Sequence, residues 1–501
     1  MLHVIHTGVT TPPRESGRAA ITLAVALLLM WSLAPTSSAE LAPPPLCGTV
    51  VPIGCETWST VFDDHSEDSQ PTEASSPDGS HVFVAFSTSS LKLIVVSYDS
   101  QTGAPVWTTT FTAPDYSPGE RMMVVSPDGA RLYVVGTLIG GPGGLTTSKG
   151  LTLALDASNG TIAWNATVPA NSFGYALAVS PDGTRVYTTG ERSDNYVTVA
   201  YDSANGNPVW STSYDGEGGT APQYYPRAYD SAFSIATSSD GGAIYVTGIS
   251  ASAPGPMEYA TLAYDAATGA QRWLARYHGQ DAQGAPTDSE AYSLVSSPIN
   301  RAVYVLGSAG AVAYDSLTGE MRWANQATAT CPVLTPRGVL RECVVKLSPD
   351  GTRLFAGTPE TVAAYDTATG STLWALPIHV SDGSPTGAVY PTPQSDFYQS
   401  DITLSPDGSR VYLTDSGGHD VVTDGRFGGH YETFSLNATN GHPVWRVVAG
   451  NGFQQVWMVT AAPDGAHVFV TGESYGNSMG AIMTVAYNTN LGLESAPKLP
   501  S

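Results

Sequence analysis

The sequence predicts an all-β protein: an eight-bladed β-propeller of four-stranded blades, its ring closed by the N-terminal strand completing the C-terminal blade. Three observations carry this expectation: the composition, a unit that recurs eight times, and a copy of that unit split between the two chain ends. The 501 residues include 52 Gly and 36 Pro, with 13% charged and 42% hydrophobic residues. That is too rich in turn formers for helices and too apolar for disorder. A fixed repeat also overrides the several-domain expectation from length, because each unit is too small to bury a core alone.

The unit is clearest from Ser180 to Trp210. It opens with a turn, at Ser76, Ser126, Ser180, Ser238, Ser297, Ser348, Ser405 and Ala462, usually spelled Ser-Pro-Asp-Gly. Pro presets φ, Asp bonds its own backbone, and Gly accepts positive φ. An alternating strand follows, such as Val186 to Gly190, and then a second that ends in Asp or Asn, from Asp99 through Asn488. Four residues on stands a turn glycine, Gly103 in the first copy and Gly492 in the last. Four further on stands Trp107, Trp164, Trp210, Trp273, Trp323, Trp374 or Trp445, but the eighth copy has Ala496 there. The unmatched Trp58 precedes the first turn, so residues 56–62 are expected to pair with the strand around Thr484 to Tyr487, leaving no exposed sheet edge. All eight Trp are read as blade-docking residues, large aromatics with an N–H to place.

At the N-terminus, Arg14 and Arg18 precede an apolar run, Ala19 to Leu33, and the small residues Ser37-Ser38-Ala39. This predicts a signal peptide over 1–39, a lead over 40–55, the propeller over 56–492 and a tail over 493–501. A secreted protein, monomeric and without a membrane span, is expected. Four cysteines in two close pairs, Cys47 with Cys55 and Cys331 with Cys343, are read as local disulfides rather than a metal site. The net charge of −23, with no basic stripe, excludes nucleic acid as a partner.

Ala-Tyr-Asp-x-x-Thr-Gly-x-x-x-Trp, as in Ala313 to Trp323 and Ala364 to Trp374, resembles the tryptophan-docking repeat of the eight-bladed quinoprotein alcohol dehydrogenase-like (PQQ-like) propellers. Tyr245 to Ser250, with Thr261 to Asp265, also resembles a bacterial YVTG propeller repeat. The resemblance implies the fold, and, for the dehydrogenases, a quinone held against adjacent cysteines, with calcium and an Asp base. No two cysteines here are adjacent, so pyrroloquinoline quinone is not expected as a cofactor. The propeller lipoproteins of outer-membrane assembly are a fold-level analogy for a binding role.

Other motifs say little. Gly472-Glu473-Ser474-Tyr475-Gly476 spells a nucleophile elbow, but a strand follows where a helix is required. The insertion from Asp415 to Tyr431 is rich in Gly and brings Asp415, His419, Asp420, Asp424 and His430 together in sequence as a candidate divalent-cation loop. Both short turns of every unit fall on one face of the ring, so the long connections, among them Leu138 to Gly150 and His278 to Glu290, share the other. The expected function is a non-catalytic scaffold that binds a protein or carbohydrate on this variable face, with no catalytic residues assigned. The alternative is a channel-mouth enzyme, either a cation-assisted carbohydrate hydrolase or lyase or a degenerate quinoprotein oxidoreductase.

Overall fold

The computed structural model describes residues 54–62, 70–142, 147–169, 171–216, 230–251, 255–326, 328–331, 343–359, 361–377, 401–421, 427–449, 454–474 and 481–489. Its sheets are eight four-stranded antiparallel blades and one short hairpin, Gly279–Gln280 with Pro286–Thr287. Blades 1 to 7 each use one stretch of chain: 72–112, 116–167, 172–214, 231–277, 291–325, 344–377 and 402–449. Blade 8 joins Gln454–Ala461, His467–Ser474 and Ala481–Asn488 to the N-terminal strand Glu56–Phe62. Residues 56–62 pair with the strand around Thr484 to Tyr487, as the sequence predicts, with Thr60 opposite Thr484 and Glu56 opposite Tyr487. The first strand of each blade touches those of both neighbours, from Thr72–Ser75 around to 454–461 and back, so these eight strands form the inner wall of a closed ring.

The repeat residues explain themselves in contacts. Each docking Trp packs on an aromatic of its own blade, Trp107 on Phe83 through Trp58 on Phe469, at centroid distances of 5.8–6.0 Å. Trp58, Trp107, Trp164, Trp210, Trp273, Trp323 and Trp374 also donate their indole N–H to a backbone carbonyl of the next blade at 2.8–3.2 Å. The ring lies over that blade's turn glycine, where a side chain has no room: a Cβ on Gly103 would sit 2.5 Å from Trp58. One residue type thus both joins blades and dictates a glycine in its neighbour.

The seam follows the same rule with a different glycine. In blade 1 the turn is held by Gly103 N–H to Asp99 O and Asp99 N–H to Ala104 O, both 2.9 Å. In blade 8 the equivalent bonds run from Gly54 N–H to Asn488 O at 2.8 Å and from Asn488 N–H to Cys55 O at 2.9 Å. Trp445 lies over Gly54, whose φ is +80°. Gly54, four residues before Trp58, therefore takes the place that the sequence pattern assigned to Gly492, which lies outside the described residues.

In two insertions read as loops, the described residues are strand extensions instead. Arg131–Gly140 pairs with Thr147–Asp156 as far as Gly140 opposite Thr147. Arg410–Val421 pairs with Phe427–Asn437. In blade 2 the pairing continues in register past the usual hairpin point, where Thr137, Leu138 and Ile139 keep the pleat, whereas in blade 7 it continues with a register shift between Gly417 and Asp420.

Candidate functional site

The face carrying both short turns spends its polar groups on itself. In six of the first turns the Ser hydroxyl donates to the Asp carboxylate two residues on and accepts the N–H five residues on, as in Ser180 with Asp182 and Arg185. Hydrogen bonds from Ser76 and Ser80 hold the Asp78 carboxyl down at about 2. Arg272 and Arg322 do the same for Asp265 and Asp315, also at about 2. Carboxylates satisfied by their own turns are structural.

The opposite face is built differently. The inner strands of blades 2, 3, 4, 5 and 8 each carry a β-bulge, at Arg121, Tyr175, Phe233, Tyr292 and Trp457. The bulge presses an inner-strand carbonyl onto the glycine that ends the alternating strand: a Cβ on Gly136, Gly190 or Gly248 would lie 1.9 Å from that oxygen. This is why the repeat ends that strand in Gly. The extra residue is also turned off the regular pleat, and bulges characteristically re-aim side chains in this way. Tyr175 meets Phe233 edge-on at 5.5 Å, and Phe233 stacks on Tyr292 at 6.0 Å. Phe233 thus touches the inner strands of both neighbouring blades, which places the rings along the inner wall.

Beside this arc, between blades 2 and 3, lies a cleft of about 540 Å³ lined by Ile139, Thr147, Ser148, Asn171, Phe173, Glu191, Ser193 and Asp194. Asn171, Ser193 and Asp194 lie in connections of the variable face, and the other five lie at the strand ends that lead into them. Ser193 and Asp194, both at positive φ (52° and 66°), form the tight two-residue turn that carries the cleft rim. Burial pushes the Glu191 carboxyl up to about 7, against a hydrogen bond from Ser231, whose hydroxyl lies 3.3 Å from Oε2. A carboxyl poised near neutrality in a cleft is a group able to accept or donate. Asp230, also raised by burial, accepts backbone N–H bonds from Gly216 at 2.6 Å and Ala251 at 3.1 Å and braces the entry to blade 4.

Another buried carboxyl stands at the seam. Counting back from the first turn, Met123, Leu177, Ile235, Leu294, Val345, Ile402 and Val459 occupy one buried aliphatic position in blades 2 to 8. Blade 1 has Glu73 there, 4% exposed. Burial pushes its carboxyl up to about 8, opposed by hydrogen bonds from Thr471 (2.6 Å) and Thr460, with the nearby Asp401 charge raising it further.

Of the candidate residues, Cys331 and Cys343 form a disulfide buried beside Tyr292, Tyr304 and Tyr365, between blades 5 and 6. Cys55 is disulfide-bonded, and its expected partner Cys47 lies outside the described residues. Asp415, Asp420 and His419 fall on one strand of the long blade 7 hairpin and His430 on the other, with Gly417 opposite His430 and Asp420 opposite Gly428. Their side chains and all of Asp424 lie outside the described residues. The pattern reading missed Gly54, Glu73 and the bulge residues. The first two left a signal, namely the four-residue spacing to Trp58 and one acid in an aliphatic column.

The fold and the docking geometry define a propeller of the quinoprotein dehydrogenase-like class. Within it, the chain belongs to the family described as outer membrane protein assembly factor BamB, whose model matches residues 52–171 and 148–388. Among solved structures, the C-terminal WD40 domain of Sif2 is similar at a TM-score of 0.53 and 10% identity, over 87% of this chain and 98% of that one. A quinohemoprotein alcohol dehydrogenase from Pseudomonas putida HK5 is similar at 0.52 and 13% identity, over 90% and 78%. BamB from Moraxella catarrhalis matches at 0.47 and 15%, over 87% and 100%. No curated protein matches the sequence. At these identities the first two of these structures show a shared fold and nothing further. The adjacent-cysteine ring that the class implies for its quinone has no counterpart: Cys331–Cys343 spans a sequence separation of 12 inside a core, and Cys55 borders the outermost strand of blade 8. These residues do not fit the quinone.

Proposed function

We propose that the protein is an exported, non-catalytic binding scaffold that holds its ligand on the variable face, at the cleft between blades 2 and 3 and the channel mouth beside it. The family's description as an assembly factor points the same way. The observation that carries the reading is the asymmetry of the two faces. One has turns whose carboxylates are consumed locally, while the other has re-aimed aromatics, a cleft and a carboxyl near neutrality. Rigid scaffolds with variable connections on one face typically bind there.

Two exposed apolar side chains give a matched test. Ile139 (49% exposed) sits at the cleft, and Leu317 (57%) sits in a short turn of the regular face. Oligosaccharide and peptide arrays probed with Ile139→Asp should lose the wild-type signal, whereas Leu317→Asp should keep it, and the ligand should be recovered unchanged by mass spectrometry. Loss with Leu317→Asp instead, or chemical conversion of the ligand, would overturn the reading.

A further inference from the structure

The cleft does not end at its own wall. Phe173, half-buried on the cleft lining, lies parallel to Tyr175, with an interplanar angle of 3° and centroids 6.1 Å apart. Tyr175 passes the contact to Phe233, and Phe233 to Tyr292, which is buried and closes the run. Four rings therefore lead from an open cleft onto the inner wall in steps of 5.5–6.1 Å. The Arg121 guanidinium lies 5.9 Å from the Tyr175 centroid and backs that ring.

We propose that this cleft and ring run bind a neutral oligosaccharide, an inference that rests on the variable-face reading and names its ligand. A sugar ring presents an apolar C–H face and a rim of hydroxyls. The matching surface is a half-exposed aromatic flanked by short polar side chains that both donate and accept. Phe173 supplies the platform, Asn171 an amide, Ser193 a hydroxyl, and Glu191 with Asp194 the carboxyls. The volume of about 540 Å³ lies within the roughly 300–1,000 Å³ of ordinary ligand clefts. Charge selects within the class: the lining has two carboxyls and no Lys or Arg, so an anionic glycan is disfavoured. The succession of rings suits several linked sugars rather than one.

Calorimetric titration of the full chain with cellopentaose and chitopentaose, against a galacturonic acid pentamer, tests this. At least one neutral pentasaccharide should bind saturably and more tightly than the acidic one. Phe173→Ala should weaken binding by about tenfold, the scale of one lost ring contact. Asn171→Gly removes the amide at a position whose φ of +61° a glycine accepts, so it tests the site even if Phe173→Ala folds poorly, and should weaken binding several-fold. Leu317→Asp should bind as wild type. Absence of binding by both neutral probes, or equal affinity in Phe173→Ala and Asn171→Gly, would sink the proposal. If the arrays instead return a peptide that Ile139→Asp abolishes, the oligosaccharide inference falls and the variable-face reading stands. If binding follows Leu317, the reading itself falls.

Discussion

Blades 1 to 7 are each continuous, whereas blade 8 is assembled from 35 residues of the C-terminal region, 454–488, and seven from the N-terminal strand. The docking geometry hardly differs. Trp58 packs at a tilt on Phe469 at 5.8 Å, as Trp107 does on Phe83, and Gly54 reproduces both backbone bonds of the Gly103 turn. Blade docking is thus encoded in a glycine, a tryptophan four residues later and a strand edge to pair with, and covalent continuity is not required. What does differ is the core beside the seam. Blade 1, which packs against blade 8, has a glutamate where the seven other blades have an aliphatic residue.

Breaking the split blade should have the largest effect. Deleting residues 40–62 removes Gly54, Trp58 and the outer strand, exposing the edge of Ala481–Asn488 and the cluster of Val82, Val84, Phe86 and Phe469 around Trp58. The loss should exceed the ~3–5 kcal/mol of a single buried Trp truncation. It should appear as a marked fall in the thermal midpoint with concentration-dependent association through the open edge. Deleting 493–501 should leave the midpoint unchanged. A monomeric 40–62 deletion with an unaltered midpoint would refute the closure.

Glu73 sharpens the contrast through pH. Its carboxyl is raised in the folded chain from about 4.5 to about 8, so the folded state holds this proton more tightly than the unfolded state does. The associated stability is fully present below about pH 4.5 and is lost as pH rises to about 8, at up to about 1.4 kcal/mol per pH unit. Glu73→Gln, which keeps an acceptor for Thr471, should flatten this slope relative to wild type between pH 5 and 8. Glu73→Leu, the residue type of the other blades, should flatten it and raise the midpoint at pH 8. Parallel wild-type and Glu73→Gln profiles in chemical denaturation would show that the carboxyl does not titrate in this window.

The seam glycine gives a smaller effect. Gly54→Ala places a Cβ 2.9 Å from the Trp445 ring at φ +80° and should cost about 1–3 kcal/mol. Gly492→Ala should cost nothing measurable. The reverse ranking in urea melts would return the turn to Gly492.

The ring was legible in the sequence because its determinants are local and periodic: Ser, Gly and Trp recur at fixed offsets and each has one steric or hydrogen-bonding job. The cleft was not, because Ile139 and Glu191, at strand ends of two different blades, and Asn171, in the connection between those blades, meet only when the blades pack. The bulges were hidden for another reason. One inserted residue turns a side chain off its regular face, and no fixed residue type marks the insertion, as Arg121, Tyr175, Phe233, Tyr292 and Trp457 show. Within the expected loops, 138–140 with 147–150 and 415–421 with 427–431 are paired strands, because Gly-rich spelling was read as a break where pairing continues.

The smallest predicted effect restores to blade 8 a feature that six of the others have. Six first turns carry a Ser whose hydroxyl bridges the turn Asp and the N–H five residues on, and these serines are almost all buried. Blade 8 has Ala462, 1% exposed, with the rest of the turn unchanged: Gly465 N–H bonds Ala462 O at 2.9 Å, and Asp464 accepts from Ala466 N–H at 2.8 Å. A hydroxyl added to this backbone has its donor and acceptor already in place, so Ala462→Ser should stabilise the protein by about 0.5–1.5 kcal/mol. The mirror change in a continuous blade, Ser180→Ala, should cost a similar amount. A shift of equal size and opposite sign in the two variants would mean that the turn contributes alike on both sides of the seam. If Ala462→Ser destabilises, the turn of the split blade differs from its six counterparts in the space around that Cβ, and equivalence of the blades stops at the tryptophan.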